Sequence, residues 1–307
     1  MDNIELIRYR RALKRKNYSA HTLKSYMNIL DHFLRWITVR LSEVTSKEVG
    51  FYVDHLLRKR CTPKTITCHL QTIRLFFEYL INEEEIPIAN PVTRISIRLP
   101  KPLPRHLKDD QVTRLLGVIT DVRDRAMFML MLRCGLRVQE VADLTVDAVD
   151  YQRRQIFVSK GKGGKDRIVY LSEDARSALL TYLSKRSTKG KRLFLVQKGP
   201  MRGQPLSVRG IQKRMESYAR KSKLNVSCHR LRHTMATQLL NADADLATIQ
   251  DLLGHDQITT TQRYCWVASL KVQRDYYKAM QIVLQRTQAQ EEEEDEGENM
   301  DLPELSV

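Results

Sequence analysis

The chain has 307 residues, of which 42% are apolar and 29% charged, and a formal net charge of +16. That length suits two domains, and the apolar share is ordinary for a globular protein. The longest apolar run, Ala126 to Leu132, is too short to span a membrane. Nor does Met1-Asp2-Asn3-Ile4-Glu5 hold the apolar centre of a signal peptide. The expected location is the cytoplasm. Five cysteines, Cys61, Cys68, Cys134, Cys228 and Cys265, lack zinc-type spacing and read as reduced thiols. The charge is uneven. Nine acids and no base follow Gln290, so setting those nine aside leaves +25 on residues 1–290. An excess of that size favours a polyanionic partner through counterion release, and arginines beside candidate catalytic groups favour nucleic acid over mere solubility.

Residues 1–16 are basic with a weak helical pattern. Tyr18-Ser19 opens a clearer helix, in which Leu23, Tyr26, Leu30, Phe33, Leu34 and Ile37 recur at three and four. Thr45-Ser46-Lys47-Glu48 fits a capping box ahead of Val49, Val53, Leu56 and Leu57. Thr62-Pro63 places a cap and a first-turn proline before a third helix, carrying Ile66, Leu70, Ile73, Phe76, Phe77 and Leu80. Lys64, His69 and Arg74 fall on its outer face. Asn90-Pro91 stops the pattern. The spacing predicts an all-helical bundle with basic outer faces and an aromatic core. Three prolines in Pro100–Pro104 then favour a stiff, extended connection, suited to a clamp around a duplex.

The second half opens with helices at about Asp109–Ile119 and Arg123–Cys134. Gly135 ends the second, Arg137 enters the next, and Glu140 falls three residues on, where it can brace Arg137 or the helix. Ile156–Val158 and Ile168–Leu171 are short β-rich runs. The basic, glycine-rich turn between them, Lys160 to Arg167, reads as a hairpin that is either a solvated turn or a lysine delivered to phosphate. Its spacing is not that of a Walker A loop, so ATP is not implied. Helices follow at Glu173–Leu183 and Ser207–Tyr218, separated by the apolar run Leu193–Val196. The helix from about His229 to Leu240 presents His229 and Arg232 one turn apart. Asp245 caps a shorter helix that Gly254 ends, and His255 and Tyr264 follow. A last amphipathic helix carries Val272, Tyr276, Ala279, Met280 and Val283. The acidic tail, 289–307, is expected to be disordered.

These residue types suit one chemistry. Arginines hold phosphate oxygens through charge-assisted bonds, histidines orient groups or move protons, and a tyrosine hydroxyl can attack phosphorus to form an ester. Together they point to covalent phosphoryl transfer with neither metal nor other cofactor. Tyr276 and Tyr277 compete with Tyr264 as nucleophile, but an amphipathic helix makes packing their default. His233 points about 100° from Arg232 on an ideal helix, which suggests packing or a supporting role.

In this order and spacing, Gly135-Leu136-Arg137-x-x-Glu140, Gly161-Lys162-Gly163, His229-x-x-Arg232-His233, Leu252-Leu253-Gly254-His255 and Tyr264 resemble the motifs of the tyrosine recombinases, the phage integrase family. The plan is similar to that of the Xer-type members. The first half resembles the family's core-binding domain through Ser19-x-x-Thr22-x-x-x-Tyr26 and Asn90-Pro91. The resemblance implies a mainly α fold. A helical, SAM-like core-binding domain over 1–99 and a linker at 100–105 would precede a mixed α/β catalytic domain with a small antiparallel sheet over 106–288. It further implies that Arg137 and Arg232 hold the scissile phosphate, Tyr264 attacks to leave a 3′-phosphotyrosine, and Lys162 protonates the departing 5′-oxygen. His229 would orient the phosphate or accept the tyrosine proton, and His255 would bond a phosphate oxygen. The implied partner is double-stranded DNA at specific recombination sites. A homotetramer would span two sites, a dimer on each, with an accessory or partner recombinase possible. Strand exchange would pass through a Holliday junction, in a prokaryotic cytoplasm. The competing functions are a type IB topoisomerase and a DNA-binding protein without catalysis, which a covalent trapping assay separates.

Overall fold

The computed structural model describes residues 3–93, 95–100, 105–159, 166–186, 190–254, 261 and 273–282. Within it the chain forms two compact units, Met1–Lys101 and Pro102–Val307.

The first unit is built from α1 (Asn3–Arg15), α2 (Ala20–Trp36), α3 (Ser46–Arg58) and α4 (Pro63–Asn82), with a 3₁₀ turn at Leu41–Glu43. Their starts follow local chemistry. Ser19 accepts the Thr22 N–H, Thr62 accepts that of Thr65, and Glu48 Oε2 takes the Thr45 N–H at 2.9 Å. Leu30, Phe33, Val49, Ile66, Ile73, Phe76 and Phe77 are fully buried. Each contributes roughly 1.5–3 kcal/mol of burial, so truncating Phe76 to alanine should cost ~3–5 kcal/mol. The weakly patterned start is a full helix, because Tyr9, Ala12 and Leu13 bury against this core.

Two positions expected on the outer face of α4 turn inward. His69 Nδ1 lies 2.8 Å from the buried Tyr52 hydroxyl, which also meets His32 Nδ1 at 2.7 Å. Arg74 donates to the Val92 carbonyl at 2.9 Å, and Asn90 pins the same turn by donating to the Arg74 carbonyl. Conversely, Leu57, read as part of the buried stripe, is exposed.

The second unit orders as α5 (Asp109–Gly117), α6 (Val122–Arg133), α7 (Val138–Asp143), β1 (Val149–Asp150), β2 (Gln155–Val158), β3 (Arg167–Tyr170), α8 (Glu173–Lys185), α9 (Val208–Ser222), α10 (Cys228–Asn241) and α11 (Leu246–Leu253). Helix α6 is its centre: every residue from Ala126 to Leu132 is buried, with α8 and α10 packed against it. Its Asp124 is fully buried and accepts from Arg123, Arg214 and the Tyr218 hydroxyl, so the carboxylate is well partnered. The three strands form an antiparallel sheet in the order β1-β2-β3. The pairing Ile156↔Val169 and Val158↔Arg167 sets the inward face of the β2–β3 ladder. In the run Leu193–Val196 the first three residues are buried and Val196 is half-buried, without forming a strand, except that an isolated bridge joins Leu195 to Pro205. The architecture is therefore mainly helical with one small antiparallel sheet.

Residues 273–282 are helical, and the expected apolar stripe there is not packed as a core. Tyr276 and Tyr277 are each 58% exposed, and Met280 is half-buried. Arg274 tethers the segment by pairing with Asp243 at 2.5 Å. No helix among the described residues is long and apolar enough to cross a membrane. The linker core at 101–104, the hairpin turn at 160–165 and the acidic tail lie outside the described residues.

Candidate active site

The site grows from two glycines. Gly135 follows α6 with φ +66°, the left-handed conformation glycine adopts most readily at a helix end. A Cβ there would stand 3.1 Å from Leu253 Cδ2 and from Met235 Sδ, so this turn lies hard against α10 and α11. The chain then enters α7 at Arg137. Gly254 closes α11 in the same left-handed region, with φ +58°. A Cβ at Gly254 would meet Arg167 Cδ at 3.0 Å. Met235, Ala236, Leu240, Ile249 and Leu253 form a small core that clamps α10 to α11. These contacts fix where α11 ends.

The last carbonyls of a helix have no partner within it and carry the negative end of its dipole. Here three consecutive ones each receive an arginine from a different element. Leu252 O accepts from Arg167 Nε at 2.9 Å, Leu253 O from Arg232 Nη2, and Gly254 O from Arg137 Nη2 at 3.0 Å. Arg232 is 1% exposed and its Nη1 also donates to Gly135 O, which joins the α6–α7 turn to the cluster.

Glu140 binds the arrangement from the other side. As the third residue of α7 it accepts the Arg137 backbone N–H on Oε2 at 2.7 Å and the Arg137 Nη1 on Oε1 at 2.8 Å. Arg167 approaches the same carboxylate in a fork, Nη1 to Oε1 at 2.7 Å and Nη2 to Oε2 at 2.8 Å. Burial alone would raise the Glu140 carboxyl, but Arg167 and then Arg137 hold it down at about 2. Glu140 thus braces both Arg137 and the start of α7. Arg167 was missed in the sequence. Its signal is the strand alternation, which puts it on the same inward face as Val169.

Helix α10 begins at Ser227, whose hydroxyl accepts the Arg230 N–H. His229 is exposed in its first turn, whereas Arg232 points inward one turn later. His233, four residues beyond His229, sets its ring edge-to-face against it, with centroids 4.2 Å apart. The far side of α10 holds the start of the unit: Thr234 Oγ1 accepts the Leu107 N–H at 2.9 Å, and Arg230 donates to His106 O. Thus Arg137, Arg232 and His229 lie on elements that meet at the end of α11. Lys162, His255 and Tyr264 lie outside the described residues. No group of three or more His, Cys, Asp or Glu side chains among the described residues could hold a metal ion.

Arginines gathered from distant parts of a basic chain, with an exposed histidine one helical turn from Arg232, are a set of groups suited to work on the phosphate esters of a polyanion. Residues 105–270 match the phage integrase family, and residues 6–86 match the phage integrase N-terminal SAM-like domain. The tyrosine recombinase XerA of Thermococcus kodakarensis is 32% identical over 266 residues, covering 86% of this chain and 91% of that one. The tyrosine recombinase XerC of Actinobacillus succinogenes is 35% identical over 263 residues, covering 81% and 87%. Among solved structures, a XerA recombinase is 27% identical with a TM-score of 0.52, covering 90% of this chain and 98% of that one. The integrase of transposon Tn1549, solved with circular intermediate DNA, shares the fold with a TM-score of 0.71 at 20% identity, covering 85% and 94%. This chain belongs to the phage integrase family. It is a tyrosine recombinase, and its reaction is site-specific DNA recombination by cleavage and rejoining of strands.

Proposed function

We propose that Tyr264 is the nucleophile of that reaction and that Arg137 and Arg232 hold the non-bridging oxygens of the scissile phosphate. The observation that carries this reading is the seating of Arg137 and Arg232 on the successive carbonyls Gly254 O and Leu253 O. Two guanidinium groups are thereby fixed at one spot before substrate arrives, and their cost of ordering falls on folding rather than on the reaction. They stabilise the charge of the pentacoordinate state. Lys162 protonates the departing 5′-oxygen, His229 orients the phosphate or takes the tyrosine proton, and His255 bonds a phosphate oxygen. The 3′-phosphotyrosine conserves the energy of the broken bond, so the partner strand's 5′-hydroxyl completes exchange without metal ion, ATP or redox cofactor.

The partner is duplex DNA at specific sites, held by the core-binding domain at 1–99 and the catalytic domain at 106–288. Exchange between two duplexes needs four cleavages, hence a homotetramer on two sites with a dimer on each. The exposed Tyr276 and Tyr277 support docking of the helical segment 273–282 on a neighbouring protomer. The protein acts in a prokaryotic cytoplasm.

Tyr264→Phe removes only the hydroxyl. It is expected to bind DNA normally and to form no SDS-resistant adduct on a nicked suicide duplex, whereas the parent forms it even in excess EDTA. An adduct from the variant would transfer the nucleophile to Tyr276 or Tyr277, and a strict, restorable need for magnesium in the parent would overturn the arginine mechanism.

A further inference from the structure

Arg167 is absent from the mechanism above, yet its placement is unusual for an arginine. It pairs with Val158 and shares the inward face of β3 with the buried Val169. Its side chain is only 9% exposed. A cation removed from water that far needs dedicated partners. Arg167 has them: a two-point fork onto Glu140 and an Nε–H bond to Leu252 O. Gly254 leaves room for its stem, since any Cβ there would meet Arg167 Cδ at 3.0 Å.

We propose that Arg167 is a positioning residue for strand cleavage: it fixes the Glu140 carboxylate that aims Arg137, and it ties that pair to the end of α11. The proposal rests on reading Arg137 as a phosphate-holding arginine. Glu140 Oε1 is shared, receiving Nη1 of Arg137 and Nη1 of Arg167. With Arg167 in its fork, the carboxylate cannot rotate to offer both oxygens to the Arg137 side chain. The Arg137 guanidinium therefore keeps its second anchor on Gly254 O. Without Arg167, only the Arg137 backbone N–H and Nη1 hold the carboxylate, so it is free to turn toward a two-point pair that draws the Arg137 guanidinium away from the α11 carbonyls. Lysine keeps the charge but offers a single point, so it cannot impose the fork. Arg167 also lies five residues after Lys162 in the sequence, which anchors on α11 the strand leading out of that turn.

The test uses the full-length protein on a nicked suicide duplex, with single-turnover adduct formation and single-site gel-shift affinity measured in parallel. The proteins are the parent, Arg137→Lys, Arg167→Lys and the double variant. A misplacement of ~1 Å can cost ~10²-fold in rate, so Arg167→Lys is expected to slow cleavage by about that factor. Affinity should stay within about twofold, because Nε, Nη1 and Nη2 of Arg167 are all engaged by Leu252 O and Glu140 rather than offered to DNA, and melting should confirm the fold. In the Arg137→Lys background the further loss should shrink to about threefold or less, since two residues acting through one another are not additive. Wild-type cleavage by Arg167→Lys, or losses that multiply in full in the double variant, would overturn the proposal. Wild-type cleavage by Arg137→Lys would instead overturn the underlying reading of Arg137. Should Arg167→Lys fold poorly, the neutral pair Arg167→Met with Glu140→Gln restores packing without an orphaned charge. That pair is expected to melt near the parent and still cleave slowly, and parental cleavage by it would equally sink the idea.

Discussion

Replacing Glu140 by glutamine keeps the shape of the side chain and removes one charge from between two arginines. The Glu140 carboxyl sits at about 2, against 4.5 for a free glutamate side chain. Burial pushes it upward, and Arg167 and Arg137 more than reverse that. At about 1.4 kcal/mol per pH unit, the difference corresponds to about 3 kcal/mol of stability at pH 7. The side chain is only 8% exposed, so solvent screening is small. Because the folded-state value is depressed, this stability is present above pH 4.5 and is lost as pH falls toward 2. Glutamine imitates the protonated carboxyl, so Glu140→Gln should cost about 3 kcal/mol at pH 7 and only about 1 kcal/mol at pH 3. Urea unfolding of both proteins across that range, followed by a probe in the second unit, measures the difference. Other carboxylates titrate alike in the two proteins and cancel. A cost that stays the same from pH 7 to pH 3 would refute the assignment of the shift to the two arginines.

Three further outcomes are expected. Lys162→Ala should slow cleavage of ordinary DNA by ~10²–10⁴-fold, the usual contribution of a general acid, and a substrate with a bridging 5′-sulfur should restore it; equal loss on both would move the acid elsewhere. Gly254→Ala should lower stability by ~1–3 kcal/mol, because alanine is strained at φ +58° and its Cβ would press on Arg167; a melting temperature equal to the parent's would show that the α11 end yields freely. Truncation after Ala268 should leave single-site binding near normal while abolishing two-site recombination, and normal recombination by that variant would rule out docking of the 273–282 helix between protomers.

Much of the fold is legible locally because helix ends are written in nearest-neighbour chemistry. Ser19, Thr45, Thr62, Asp245 and Gly254 cap helices where their side chains, or the lack of one, make it easiest. Periodicity identifies Leu23, Leu30 and Phe33 as core because three- and four-residue spacing builds one face. The same reasoning misplaces His69, Arg74 and Leu57, whose burial depends on which helix lies opposite. The weak pattern of residues 1–16 understated α1 because its stability comes from packing of Tyr9 and Leu13 rather than from its own sequence. Strand β1 is two residues long and exists only through pairing with β2, so no run of sequence announces it.

At the site, the sequence alone determined that Arg137 would open a helix behind a glycine turn, with Glu140 one turn on to brace it. It also determined that His229 and Arg232 would share α10 and that a glycine would end α11. Tertiary structure decided that Arg167, Arg232 and Arg137 meet three successive carbonyls at that end. The physical reason is distance along the chain. Arg137 and Gly254 are 117 residues apart, Arg232 and Gly135 are 97 apart, and Arg167 and Leu252 are 85 apart. Local propensity fixes where a helix stops and leaves its last carbonyls unbonded, but only the packing of α10 and β3 against α11 selects the cations that satisfy them.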